Sequence, residues 1–341
     1  MKKVAIIGAG QVAEKVHAAY YQKRSDVLEL AAVVDPVSQR AEDFCRRTGF
    51  SHAYTSVTQM LNEISPDIVS VCTANRFHFE HVLAALEANA SVMCEKPPAM
   101  TADQARKMAE TADKNGQILA YGFQHRFSDE ATMIKNHLDV LGDIYYVEAN
   151  ALRRSGVPGW GTFIDKELQG GGPLIDYGIH MLDTAMYITG FPKVKSVRAY
   201  SFQKIGTKKN SGKFGKWDPS KFTVEDAIFG TLELENGKII QLNTSFALNI
   251  REDKLNVAFC GDQAGANLYP GELFEDVDGK LVSLQKTTPV NDPHELSMAH
   301  FVNRALGDQT QMIADGWQGY VIQNLVENLY RSAETGEVIT L

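Results

Sequence analysis

The chain has 341 residues, 44% hydrophobic and 22% charged, which suffices for about two domains with cores of their own. Its 42 acids outnumber its 34 lysines and arginines, giving net charge -8; with no basic run interleaved with aromatics, neither a nucleic-acid partner nor an anionic membrane surface is expected. Cys45, Cys72, Cys94 and Cys260 form no Cys-x-x-Cys and no Cys/His cluster of zinc spacing, so they read as reduced thiols, and no metal is expected.

From the N-terminus, two lysines precede an apolar segment, but Gly8, Gly10 and Gln11 break it early and Glu14 follows, which makes export the weaker reading. No stretch approaches the roughly 18 apolar residues of a membrane span. The expected location is the cytoplasm. Val4 to Ile7 reads as a buried strand that breaks at Gly8-Ala9-Gly10 and passes into a helix over 11–23. Further strands are expected at 30–34, 52–54, 68–72, 91–94 and 118–121, with helices near 38–48, 55–64, 79–89 and 101–115. Strands alternating with helices of this length imply a parallel sheet covered on both faces. Residues 1–121 therefore form one doubly wound α/β domain.

Beyond Gly122 the rhythm changes. Asn236-Gly237 separates apolar runs at 229–234 and 238–246, and Asp278-Gly279 separates two more, the signature of hairpins. A second, α+β domain over 122–316 is expected, with a large, mostly antiparallel sheet, a helix at 173–189 on one face and a loop at 206–216. The tail, 317–341, is read as a helix packing back on the first domain.

Three constellations carry chemistry. The first turn is Gly8-x-Gly10-x-x-Ala13, followed by Asp35 at the end of the second strand, 22 residues after Ala13. Gly8 permits the tight turn and Gly10 a close approach to a pyrophosphate, while Ala13 keeps helix and strand close. The helix N-terminus, with Gln11 and Val12 in its first turn, offers N–H groups to phosphates. Asp35 accepts from adenosine ribose hydroxyls and repels a 2′-phosphate, favouring NAD; Arg40 could reach such a phosphate, keeping NADP open.

The second constellation lies at the carboxyl ends of the next strands, where ligands of open parallel sheets sit. Thr73, Asn75 and His78 are placed to touch a cofactor, although Asn75 and His78 serve equally well as caps of the following helix. Glu95-Lys96-Pro97 ends the neighbouring strand on the same rim. Pro97 disfavours a helical Lys96 and cannot donate to a ladder, so the lysine is aimed over the cofactor. The third is Gly170-Gly171-Gly172-Pro173-Leu174-Ile175-Asp176-Tyr177-Gly178-Ile179-His180. Glycines and a proline start a helix on which Asp176, His180 and Asp183 share one face. A carboxylate one turn from an imidazole raises its basicity, as a general base needs. The alternatives are a structural buried histidine and, last, a metal site.

Taken together with the ending Tyr330-Arg331-Ser332-Ala333-Glu334-Thr335-Gly336, these motifs, in this order, resemble the Gfo/Idh/MocA family, named after glucose-fructose oxidoreductase and inositol 2-dehydrogenase. The resemblance spans nearly the whole chain. It implies an N-terminal Rossmann domain, a C-terminal domain whose open sheet forms subunit interfaces in a homodimer or homotetramer, and an exchangeable NAD, with NADP as the second choice. Carried over by position, Lys96 is the lysine near the nicotinamide, Asp176 the carboxylate partner and His180 the general acid/base. The activity implied is hydride transfer between nicotinamide and a secondary hydroxyl of a sugar, glycoside or polyol. Arg126, Arg153, Trp160 and Tyr177, with Arg154, are candidates for holding that substrate. Two readings compete: NAD-dependent glycoside hydrolysis through transient oxidation, and a non-catalytic regulatory protein like the galactose-pathway repressor.

Overall fold

A computed structural model describes residues 1–341 as two compact units, 1–123 with 294–323, and 124–293 with 324–341. In the first, six strands, β1 Lys2–Ile7, β2 Leu28–Val34, β3 His52–Tyr54, β4 Ile68–Val71, β5 Ser91–Cys94 and β6 Leu119–Tyr121, lie in the order β3-β2-β1-β4-β5-β6. All five pairings are parallel. β4 and β5 are buried along their whole length, which is why their sequences are continuous apolar runs rather than alternating ones. The order reverses between β1 and β4, the point at which such sheets open a crevice at their carboxyl ends.

Between β1 and β2 the chain is helical, but not as a plain α-helix. Residues Ala13–Ala18 form a π-helical stretch, and α1, Ala19–Lys23, continues it. The helices α2 Ser38–Thr48, α3 Val57–Ile64, α4 His78–Glu87 and α5 Ala102–Asn115 complete the alternation. Ser56 and Thr101 cap α3 and α5 by accepting from Gln59 and Gln104 N–H, satisfying donors that a helix start leaves orphaned.

In the second unit, nine strands form one sheet: β7 Tyr146–Leu152, β8 Val194–Phe202, β11 Ala227–Leu234, β12 Ile239–Ser245, β13 Lys254–Cys260, β14 Gly265–Asn267, β15 Glu272–Val277, β16 Lys280–Lys286 and the C-terminal β17 Ile339–Thr340. Their order is β16-β15-β14-β13-β7-β12-β11-β8-β17, antiparallel except at β7–β12. The long helix of this unit has a π-helical start, Leu174–Gly178, and then α9, Ile179–Ile188, which packs across β7, β12 and β13. The expected α-helix from Pro173 thus begins with a wider turn. The loop expected at 206–216 carries a small hairpin of β9 Ser211–Gly212 and β10 Gly215–Lys216.

The division differs from the sequence expectation at both ends of the C-terminal region. Residues 294–323 belong to the first unit and 324–341 to the second, so neither 122–316 nor 317–341 is a continuous block. The cause is packing: Met298, Phe301 and Val302, on the helix α10 Pro293–Ala305, are buried in the core that Val4, Tyr21, Phe44 and Met93 build. At the other end, β17 pairs with β8 and so belongs to the nine-stranded sheet.

Candidate active site

The first unit presents a cleft of about 500 Å³ lined by Gly8, Gly10, Asp35, Arg40, Thr73 and His81, among others. Gly8 has φ +99°, and a Cβ there would lie 2.7 Å from the Cys72 carbonyl oxygen; only glycine satisfies both conditions. At Gly10 a Cβ would meet nothing within 4 Å, so its surroundings are open for a ligand to reach the backbone. Asp35, 7% exposed, accepts from Ala9 N–H (3.2 Å) and Val37 N–H (3.0 Å), which fixes the carboxylate on the cleft wall. These features fit a dinucleotide: a glycine turn before a helix, open backbone and an anchored acid at the second strand's end. Gln11 and Val12 lie exposed on the first helical turn.

On the opposite wall, Thr73 lines the cleft and Asn75 is buried in the 3-10 turn Asn75–Phe77. His78 departs from its expected role as a cofactor contact. It is fully buried, with Nδ1 2.8 Å from Pro97 O and Nε2 3.1 Å from Thr73 O, so it ties two rim segments together, and burial lowers its pKa. The neighbouring His81, which sequence reasoning missed, lines the cleft 3.4 Å from Thr73 Oγ1 and stacks on Phe77. Glu95 and Lys96 follow β5, with a cis Lys96–Pro97 bond. The Glu95 carboxylate points to His17 Nε2 at 2.9 Å.

In the second unit the glycine run is explained by what occupies the missing Cβ positions. A Cβ on Gly171 would lie 2.1 Å from Tyr330 Oη, one on Gly172 2.4 Å from Glu225 O, and one on Gly178 2.9 Å from the Thr244 side chain. Glu225 accepts from Gly172 N–H (3.0 Å), Leu174 N–H (3.4 Å) and Tyr330 O–H (2.7 Å). Burial raises its pKa against those donors. The turn that launches Asp176 and His180 is therefore clamped by residues about 50 and 150 positions downstream, which no local motif reveals.

Asp176 lies 3.6 Å from Arg153 Nη1, and the Arg153 guanidinium sits 3.8 Å above the Tyr177 ring and 5.2 Å from Phe214. Arg153, Asp176 and Tyr177 are thus brought together. Trp160 joins them through Phe214, its ring edge-on at 6.0 Å, and stays 54% exposed. His180 is buried, 7% exposed, and faces His125 edge-on at 5.1 Å; His125 Nδ1 in turn is 2.7 Å from Tyr269 Oη. His125 and Tyr269 were not legible as site residues. Arg126 is not part of this group. It is fully buried, paired through two nitrogens with Asp183 (2.7 and 2.5 Å) and flanked by Tyr187 and Phe191; a guanidinium so saturated belongs to the core rather than to a substrate.

Residues 2–123 match the family model described as oxidoreductase, NAD-binding Rossmann fold, and 132–341 match its C-terminal alpha/beta domain. The chain belongs to the Gfo/Idh/MocA oxidoreductase family. It is an NAD(P)-dependent oxidoreductase acting on sugar hydroxyls. It is 55% identical over 343 residues to the D-glucoside 3-dehydrogenase of Escherichia coli (strain K12), covering 99% of this chain and 97% of that one. A putative UDP-kanosamine synthase oxidoreductase subunit of Amycolatopsis mediterranei is 28% identical over 97% of this chain and 96% of its own. Among solved structures, levoglucosan dehydrogenase in complex with NADH and levoglucosan superposes with TM-score 0.83 at 18% identity, over 99% of both chains.

Two substitutions test this account. Gly172→Ala is expected to destabilise the fold by about 1–3 kcal/mol, because its methyl meets backbone that cannot swing aside. Asp183→Ala is expected to cost about 3–5 kcal/mol by leaving the Arg126 charge buried and unpaired. Urea unfolding of each variant against the parent measures both.

Proposed function

We propose that the chain oxidises the C3 hydroxyl of D-glucosides, using NAD. The observation that carries this reading is the 55% identity, spread over 99% of the chain, to a D-glucoside 3-dehydrogenase. The side chains around Asp176 support it: aromatic faces beside polar groups suit a sugar ring, whose two faces are apolar and whose edge is hydroxylated.

The roles follow from chemistry. Gly8, Gly10, Gln11 and Val12 offer backbone to the pyrophosphate, Asp35 takes the adenosine ribose hydroxyls, and Thr73 and Lys96 lie on the rim toward the nicotinamide. NAD, when bound, supplies the hydride acceptor. His180 takes the proton of the reacting hydroxyl, and Asp176 steadies the imidazole that becomes charged. Lys96 holds the developing alkoxide by charge and hydrogen bonding. Arg153, braced by Tyr177 and Phe214, orients the ring through its hydroxyls, and Trp160 lies against the ring or its aglycone. We further propose that the protein acts in the cytoplasm as a symmetric homodimer or homotetramer. The exposed Tyr200, Phe202 and Ile239 of the nine-stranded sheet suit a partner's equivalent face.

The test is the appearance of reduced-nicotinamide absorbance on mixing the protein with NAD and a panel of glucosides, free aldoses and inositols, with 3-keto product identified by NMR. Oxidation of inositols in preference to glucosides would overturn the substrate assignment. His180→Ala and Lys96→Ala are each expected to lose about 10²–10⁴-fold in kcat while binding NADH normally, read by fluorescence titration. Asp35→Ala is expected to raise KM for NAD and to narrow the discrimination against NADP, measured as the ratio of the two kcat/KM values.

A further inference from the structure

Four polar side chains from three segments meet between the first helix and the parallel sheet, where the helix facing a buried sheet ordinarily carries apolar residues. His17 lies in the π-helical stretch, Tyr21 in α1, Ser70 in β4 and Glu95 just after β5. His17, Ser70 and Tyr21 are fully buried, and the Glu95 side chain is 15% exposed. Tyr21 Oη is 2.6 Å from Ser70 Oγ, Ser70 Oγ 2.8 Å from His17 Nδ1, and His17 Nε2 2.9 Å from Glu95 Oε1. We propose that these residues form a one-way donor chain that keeps Glu95 as a fixed anion beside Lys96, making His17 and Glu95 positioning residues for that lysine. This rests on the role given to Lys96 above.

The direction of the chain follows from what each group has to give. An ionised carboxylate only accepts, so His17 Nε2 carries the hydrogen it donates to Glu95. A neutral imidazole then accepts at Nδ1, and the partner there is the Ser70 hydroxyl. The Ser70 oxygen accepts in turn from Tyr21 O–H, whose proton burial holds firmly. Every donor is satisfied, as buried polar groups require, and the chain ends on one negative charge. The second carboxylate oxygen abuts Gly122, where a Cβ would come within 2.9 Å of Oε2.

The titratable groups facing Glu95 are His17 from the first helix, Lys96 and Cys94 from its own strand, His294 from α10, and Cys72 and His78 from the neighbouring strand and helix. Burial pushes the Glu95 carboxyl up, but the hydrogen bond from His17 and the charges of Lys96 and His294 outweigh it and set it below its ordinary value. A depressed carboxyl stays ionised above its folded pKa, and the anion is lost only as pH falls through that value. Removing the His17 donor moves that loss to higher pH.

The experiment uses the full chain with 13C at glutamate carboxyls, the Glu95 signal being the one absent from Glu95→Gln. Parent, His17→Leu, His17→Gln and Tyr21→Phe are titrated by NMR. The expected result is a clear upward shift of the Glu95 titration in His17→Leu, largely reversed in His17→Gln, whose amide N–H donates in place of Nε2, and a smaller upward shift in Tyr21→Phe. Lys96 is read without turnover by its acetylation rate at fixed pH, followed by mass spectrometry; Glu95→Gln is expected to acetylate several-fold faster. With glucoside and NAD, the acid limb of kcat/KM should move up in His17→Leu by the same amount as the carboxyl titration, whereas a merely structural role lowers the profile evenly and gains nothing from His17→Gln. An unmoved Glu95 titration in His17→Leu, or unchanged Lys96 acetylation in Glu95→Gln, overturns the proposal. Absence of glucoside oxidation in the parent overturns the substrate reading instead, and the two NMR and acetylation arms still decide the donor chain.

Discussion

The Glu225 carboxylate takes hydrogen bonds from Gly172 N–H, Leu174 N–H and Tyr330 O–H, and the geometry of the second unit's site descends from that contact. A helix start leaves its first N–H groups without partners, and here a side chain from the beginning of the β11 region supplies the acceptor. Two of the glycines before Pro173 are therefore occupied-space glycines: their missing Cβ positions hold Tyr330 and Glu225. Larger residues would push the turn off its clamp and carry Asp176 and His180 with it. The π-helical stretch that follows, Leu174–Gly178, is a less common backbone state that recurs at functional sites, and the clamp immediately upstream over-determines it.

How much of this was legible in the chain depended on how local the cause was. The parallel strands of the first unit announced themselves because strands buried on both faces are uninterrupted apolar runs; β3, β5 and α2 fall at the expected residues. The geometry of the glycine turn was also legible, since Gly8, Gly10 and Asp35 lie within one βαβ unit. His17 was not, because its partners Ser70 and Glu95 lie 53 and 78 residues away. Arg126 was misread because an arginine in a site-like stretch and one in a core look alike until Asp183, 57 residues on, is found against it. His78 followed the same rule: its carbonyl partners Thr73 and Pro97 convert an apparent ligand contact into a tie between loops. The segments 294–316 and 324–341 were each assigned to the other unit, because amphipathic segments show that they are half-buried, not against which core.

Two arginine–aspartate pairs in the second unit show how geometry separates structure from chemistry. Arg126 and Asp183 are 0% and 1% exposed by side chain and meet through two short contacts; ions that far from water are stable only when fully paired. Such a pair cannot open for a substrate without exposing a bare charge. Arg153 and Asp176 are 18% and 17% exposed and meet at 3.6 Å. That distance exceeds a strong charge-assisted hydrogen bond, and much of what holds the guanidinium is the faces of Tyr177, Phe214 and Phe246. An arginine held by ring faces keeps its position while its N–H groups exchange partners, a property that fits the substrate-orienting role proposed for Arg153.

The same reasoning explains why burial does not condemn the polar chain in the first unit. Isolated, each of Tyr21, Ser70 and His17 would cost free energy at the helix–sheet contact. Linked so that each donor has one acceptor, they transmit the cost to a single place, the Glu95 carboxylate, where a charge is useful. An apolar set of residues would pack at least as well and leave that charge without its donor. The helix after the glycine turn thus has two proposed duties: its exposed first residues offer backbone N–H groups to the phosphates of a dinucleotide, and a turn later His17 sets the ionisation of the carboxylate next to Lys96.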